Sequence, residues 1–146
     1  MASNTKRLLC TTDGSKASDK AVRYAARFAR ELGADLTFIT VNVGQHTGTP
    51  GERVWDTELV RLGESQVERE LRAAAEAAKE EGLDKVRCVE VHNHNIPAAV
   101  IDYAEKNDID HIVAGSTGRT GVARLLVGSV AQEIVAKAHC PVTIIR

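Results

Sequence analysis

The sequence predicts an α/β protein, an open parallel sheet with helices on both faces. Three observations point there. Short β-branched and apolar runs alternate with helical stretches along the whole chain. Glycine follows directly on two of those runs, at Asp13-Gly14 and at Gly115. A chain of 146 residues can bury one core without disulfide or structural metal, so a single domain over 1–146 is expected.

Residues 7–12 form a short apolar run that ends in Asp13-Gly14-Ser15, a buried strand and its turn. From Lys16 the period changes. Ala17, Ala21, Tyr24, Ala25, Phe28 and Leu32 share a helical face, Ser15 or Ser18 caps the start, and Gly33 stops it. Residues 35–41 are β-branched and apolar, a second strand. Gly, Thr and Pro mark 42–51 as a loop. A long helix is expected over 52–81, with Trp55, Leu59, Leu62, Val67, Leu71, Ala74 and Ala78 as its buried stripe and Gly63 as a bend. Arg69-Glu70 and Lys79-Glu80-Glu81 read as its solvated face, and Gly82-Leu83 as its stop.

Residues 86–92 alternate more strongly with polar residues, which suits a third strand near the sheet edge. Residues 96–106 form a short helix with Pro97 in its first turn. Residues 110–114 are the fourth strand. Ser129-Val130-Ala131-Gln132 has capping-box spacing at the head of a last helix over 129–138. Residues 141–145 close the chain as the fifth strand, with Pro141 tolerated at its start.

Composition narrows the function classes. The net charge of −1 offers no basic field for nucleic acid, and 3% aromatic residues offer little base stacking. No apolar run is long enough to span a bilayer, and residues 1–7 lack a signal-peptide core. Cys10, Cys88 and Cys140 are odd in number and far apart, so they read as reduced thiols of a cytoplasmic protein. Cys88, His92 and His94 alternate on one side of a strand. Without a fourth ligand or zinc-type spacing they read as a wet strand end. His46 and His111 read as surface or packing residues.

Ligands of open sheets bind outside the carboxyl ends of the strands, where the winding reverses. If the first and fourth strands are neighbours there, Asp13-Gly14 and Gly115 to Gly118 border one crevice. Gly115, Gly118, Gly128 and Ser129 would then bring backbone N–H groups and a helix start to one point, as phosphate requires. The spacing is neither G-x-G-x-x-G nor a Walker A loop with its Gly-Lys-Ser/Thr. Asp13 can accept from a ribose hydroxyl or an amine, or merely cap its turn.

Gly, two residues, Gly, nine residues, Gly, then Ser or Thr is also the pattern of the universal stress protein family, in its ATP-binding subgroup. The chain resembles that family there, at Asp13-Gly14-Ser15, at Val41 and at Cys140-Pro141-Val142, hence over essentially its whole length. The resemblance implies a Rossmann-like sheet of five parallel strands in the order 3-2-1-4-5 and a homodimer joined through the last strand. It implies ATP or another adenine nucleotide as ligand; close to a polyphosphate, Asp13 would want a bridging Mg²⁺ or Mn²⁺. The expected binding residues are Thr11, Thr12, Asp13 and Val41 on the nucleoside side. On the phosphate side they are Ala114, Gly115, Ser116, Thr117, Gly118, Arg119, Gly128, Ser129, Val130 and Ala131, with Arg124 a further candidate. No catalytic residue stands out. The expected function is a nucleotide-responsive stress or signalling protein with little or no turnover. A slow ATPase or phosphoryl or nucleotidyl transferase, and a dimeric interaction module without nucleotide, are the alternatives.

Overall fold

The structure, a computed structural model, describes residues 5–43, 52–55, 65–116 and 127–146; within 52–55 the only side chain described is that of Val54. In chain order the elements are β1 (Arg7–Thr11), α1 (Lys16–Leu32), β2 (Asp35–Asn42), β3 (Glu52–Trp55), α2 (Gln66–Glu80), β4 (Arg87–His92), α3 (Ile96–Lys106), β5 (His111–Gly115), α4 (Ser129–Lys137) and β6 (Val142–Ile145). The sheet order is β3-β4-β2-β1-β5-β6. Five strands, β4-β2-β1-β5-β6, are parallel, which is the expected 3-2-1-4-5 order. Four helices pack on them among the described residues.

The expected helix over 52–81 is corrected at its front. Glu52–Trp55 is a strand, antiparallel to β4, with Arg53 opposite Glu90 and Trp55 opposite Cys88. Helix begins only at Gln66, behind Ser65, whose hydroxyl accepts from Glu68 N. Pairing with β4 supplies ladder hydrogen bonds that a local helical period cannot anticipate. It also sets β4 one place in from the edge, near which it is expected. Leu59, Leu62 and Gly63 lie outside the described residues.

Two cores form, one on each face. Leu8, Cys10, Phe38, Cys88 and Val113 meet α1 and α2 across an alanine-rich seam that includes Ala25, Ala29, Ala74 and Ala78. Leu9, Ile39, Val89 and Ile112 meet Val100, Tyr103 and Ala104 of α3 and Ile134 of α4. Adjacent strand residues point to opposite faces, so near-continuous apolar runs fill both. Cys88 is fully buried, not part of a wet strand end. The buried stripe of α1 holds Ser18, Ala21, Val22, Ala25, Ala26 and Ala29, while Tyr24, expected on it, is 37% exposed. Ser15 caps α1 by accepting from Ser18 N, and Gly33 ends it in the left-handed region at φ 65. No helix among the described residues is long and apolar enough to cross a membrane.

Candidate functional site

β1 and β5 are neighbours, so the chain turns off the sheet to opposite faces between them. Their carboxyl ends, with that of β2, open into a crevice of about 690 Å³. Thr11, Thr12, Asp13, Val41, Ala114, Gly115, Ser116, Gly128, Ser129, Val130 and Ala131 all line it. Of the residues singled out in the sequence, Thr117, Gly118, Arg119 and Arg124 lie outside the described residues.

The β1 side is built by local hydrogen bonds. Thr12 N donates to Ile39 O at 3.0 Å, and Thr40 Oγ1 donates to Thr12 O at 2.9 Å. These bonds carry the chain beyond the ladder before it turns. Asp13 Oδ1 accepts from Ser15 N at 2.9 Å, so one carboxylate oxygen does cap the turn. Gly14 sits at φ +78, and a Cβ there would stand 2.8 Å from Glu70 Cγ. Only a residue without a side chain fits that contact without displacement.

The β5 side is built differently. Ser116 N donates to Ile145 O at 2.8 Å, extending the sheet by one bond. Gly128 N donates to Ser116 O at 2.6 Å, so the chain returns to within one hydrogen bond of where it left. The capping box expected at Ser129 is not formed. Gly128 is the N-cap, at φ −62 and ψ 160, and no side chain caps the helix. Gln132 Nε2 instead donates to Val127 O. The amides of Ser129, Val130 and Ala131 precede the first bond inside α4, from Gln132 N to Gly128 O. Their N–H groups and the helix dipole make this the electropositive pole of the crevice.

The crevice also has acidic groups on its lining. Asp13 lies there with Glu70, which is only 9% exposed and accepts from Gln66 Nε2 at 3.2 Å. Glu70 is thus a correction: it lines the crevice with Gln66 and Val67 instead of facing solvent. On a helix it falls one turn from Val67 and Ala74, on the inward side. Asn42 also lines the crevice, and its Nδ2 donates to Glu90 Oε2 at 3.0 Å. Glu90 is 5% exposed, and His92 Nε2 stands 3.6 Å from the same oxygen. The missed residues did leave a signal. Glu70 interrupts the apolar stripe of a helix, and Glu90 sits between Val89 and Val91 in a strand.

Carboxylates, helix amides and an apolar surface in one crevice suit a molecule that carries donors, an anion and an apolar face. Ile39, Val41, Ile96 and Val100 supply the apolar surface. Among the described residues the lining holds no histidine, lysine or arginine. Asp13 and Glu70 are hard oxygen donors of the kind a magnesium or manganese ion takes beside phosphate.

The sequence model of the universal stress protein family matches residues 4–146. A universal stress protein of Methanocaldococcus jannaschii is 34% identical, over 97% of this chain and 82% of the relative. The universal stress protein YxiE of Bacillus subtilis is 28% identical, over 96% and 98%. Among solved structures, UspA of Lactobacillus plantarum superposes with a TM-score of 0.77 at 24% identity, covering 99% of each chain. A universal stress protein in complex with cAMP gives 0.75 at 23%, over 99% and 98%. A universal stress protein of Archaeoglobus fulgidus in complex with dAMP gives 0.66 at 21%, over the whole of both chains.

Proposed function

The chain belongs to the universal stress protein family, and from that premise we propose that it holds ATP or another adenine nucleotide with little or no turnover. One observation carries the proposal. The turn after β1 and the start of α4 border the same crevice, so carboxylates and free helix amides share its lining. A nucleotide matches that polarity, since its base and sugar bring donors and its phosphates bring charge. Two relatives of the same fold were solved with adenine nucleotides, one with cAMP and one with dAMP.

In this reading Thr11, Thr12, Asp13 and Val41 hold the nucleoside. Ala114, Gly115, Ser116, Gly128, Ser129, Val130 and Ala131 hold the phosphates, together with Thr117, Gly118 and Arg119 of the same segment. Mg²⁺ or Mn²⁺ accompanies a polyphosphate, with Asp13 as its indirect protein partner. The protein acts in the cytoplasm as a stress or signalling component that responds to nucleotide, and pairs into a homodimer through β6. Rapid phosphoryl transfer would need a positioned nucleophile and a base to activate it, for which no residue is assigned in this reading.

The test is direct. The purified protein is denatured and the released small molecules are chromatographed. Adenine nucleotide near one per chain is the expected result. None released, with no heat on ATP titration, overturns the proposal. ADP accumulating in proportion to protein would move the reading to a slow ATPase.

A further inference from the structure

The turn after β1 is held by a hydroxyl outside the set assigned to the ligand. β1 pairs with β2 in register as far as Thr11 opposite Ile39. One more backbone bond follows, from Thr12 N to Ile39 O at 3.0 Å. The carbonyl of Thr12 is then met by a side chain, since Thr40 Oγ1 of β2 donates to it at 2.9 Å. Both residues are buried. A buried carbonyl without a donor is unfavourable, so this hydroxyl lets the two strands part while the carbonyl keeps a partner.

The other polar atoms of the turn are tied in a different direction. Thr12 Oγ1 accepts from Gly14 N at 3.4 Å and lies 3.4 Å from Ser18 Oγ, which donates to Ser15 O at 3.0 Å. Ser18 gives its one hydroxyl proton to Ser15, so in the Thr12–Ser18 contact Thr12 is the donor. That chain joins the turn to the start of α1. Thr40 joins it to the sheet. A peptide unit is planar, so a bond on Thr12 O fixes the plane of the peptide between Thr12 and Asp13. The Cα of Asp13 lies in that plane, and its carboxylate starts from there. Valine would match the shape of Thr40 and suit a strand as well, so packing alone does not call for threonine at this position.

We propose that Thr40 is a positioning residue for the bound ligand. Its buried hydroxyl holds the Thr12–Asp13 peptide and, through it, sets where the Asp13 carboxylate stands in the crevice. The proposal rests on the adenine-nucleotide reading, in which Asp13 holds the nucleoside. Without the hydroxyl, Thr12 O turns toward another donor and Asp13 turns with it. ATP binding then weakens by about tenfold, the worth of one buried hydrogen bond.

The experiment is a double-mutant cycle on the full chain, with ATP affinity read by calorimetry and a thermal melt of each protein. The proteins are the wild type, Thr40→Val, Thr40→Ser, Asp13→Ala, and Thr40→Val combined with Asp13→Ala. Thr40→Val is expected to bind ATP about tenfold more weakly. Thr40→Ser, which keeps the hydroxyl, is expected to stay within about twofold of the wild type. In the Asp13→Ala background, Thr40→Val should change affinity by less than about twofold, because the group it positions is gone. Wild-type affinity in Thr40→Val overturns the proposal. So does a loss as large in the Asp13→Ala background as in the wild type, because a purely structural role of Thr40 gives that result. Thr40→Ala, smaller and also without the hydroxyl, takes the place of Thr40→Val if the latter does not fold. Where Asp13→Ala binds too weakly to titrate, Thr40→Ser decides: recovery supports the proposal and a tenfold loss overturns it. Wild type that does not bind ATP refutes the adenine-nucleotide reading itself, whereas wild type that binds it with Thr40→Val unimpaired refutes only the role of Thr40.

Discussion

The two ends of the sheet solve opposite problems with similar residues. At the amino ends of the strands the polar groups close on one another. Asp110 Oδ2 accepts from Lys6 N at 2.8 Å and from Arg7 N at 2.9 Å, while Asp110 N donates to Arg7 O at 2.9 Å. Arg7 Nη1 donates to Asn107 O, and His111 Nε2 meets Thr143 Oγ1 at 2.7 Å. At the carboxyl ends an aspartate, Asp13, follows a strand instead of preceding one, the chains diverge and a crevice of about 690 Å³ opens between them. One carboxylate ties two strands together; the other caps its own turn through Ser15 and leaves the space beside it open. Winding makes the difference. Helices leave the β1–β5 junction toward opposite faces at the carboxyl end, and it is there that the crevice opens.

Substitutions at either end should therefore separate affinity from stability. The largest effect is expected for Gly128→Val. The backbone there, at φ −62, suits any residue, so what glycine gives is the missing side chain. Isopropyl bulk at the phosphate pole should weaken ATP binding by about 100-fold, about 2.8 kcal/mol, with stability lowered by at most about 1 kcal/mol. Calorimetry with a parallel urea melt reads both, and unchanged affinity would put the phosphates elsewhere.

Gly14→Ala should come next and should mix the two effects. It forces a Cβ into the left-handed region and against Glu70 Cγ, at a cost of about 2 kcal/mol. The same change in a Glu70→Ala background should cost about half as much, because only the dihedral strain remains. Equal costs in both backgrounds would mean that the turn and α2 are not coupled.

Asp110→Asn should have the smallest effect, on stability alone. Its carboxyl is held below the usual carboxylate range, first by the Lys6 amide and then by the Arg7 amide and the charges of Arg7 and Lys6. The unfolded chain therefore binds that proton more readily. The carboxylate stabilises the fold above its unfolded value of about 3.9, and this is lost as the pH falls from there through the lower folded value. The variant should lose no more than about 1 kcal/mol at neutral pH, since the group is solvent-screened, and its acid unfolding limb should be shallower. Altered ATP affinity would show that the two ends are not independent.

What the sequence disclosed follows the same division between local and distant causes. The five parallel strands were legible because apolar runs bounded by turn residues are local signals. Gly33 and Pro97 were legible for the same reason, and Ser15 was one of two caps the sequence allowed. Glu52–Trp55 was not, because four residues carry too short a period to distinguish strand from helix, and its partner is β4, more than 30 residues away. Ser129 looked like a cap because its spacing to Gln132 is right, yet the turn places Gly128 there. In the crevice, the residues that follow strands were readable from fold class and glycine. Glu70 was not, since packing of α2 against the β1 turn brings it there.

The strand that was misread also governs how sheets of this kind can join. Its arrival gives the molecule two unlike borders. One is β6, parallel to its neighbour; the other is β3, four residues long, antiparallel, and with Val54 48% exposed. Both borders are four residues long, and they differ in strand direction. In the proposed homodimer, two chains meeting β6 to β6 about a two-fold axis would leave a β3 at each outer rim. Such a pairing would close on itself. Had β4 been left at the rim, β6 of the next chain could have met it head to tail, and the same sheet would have had a route to a filament.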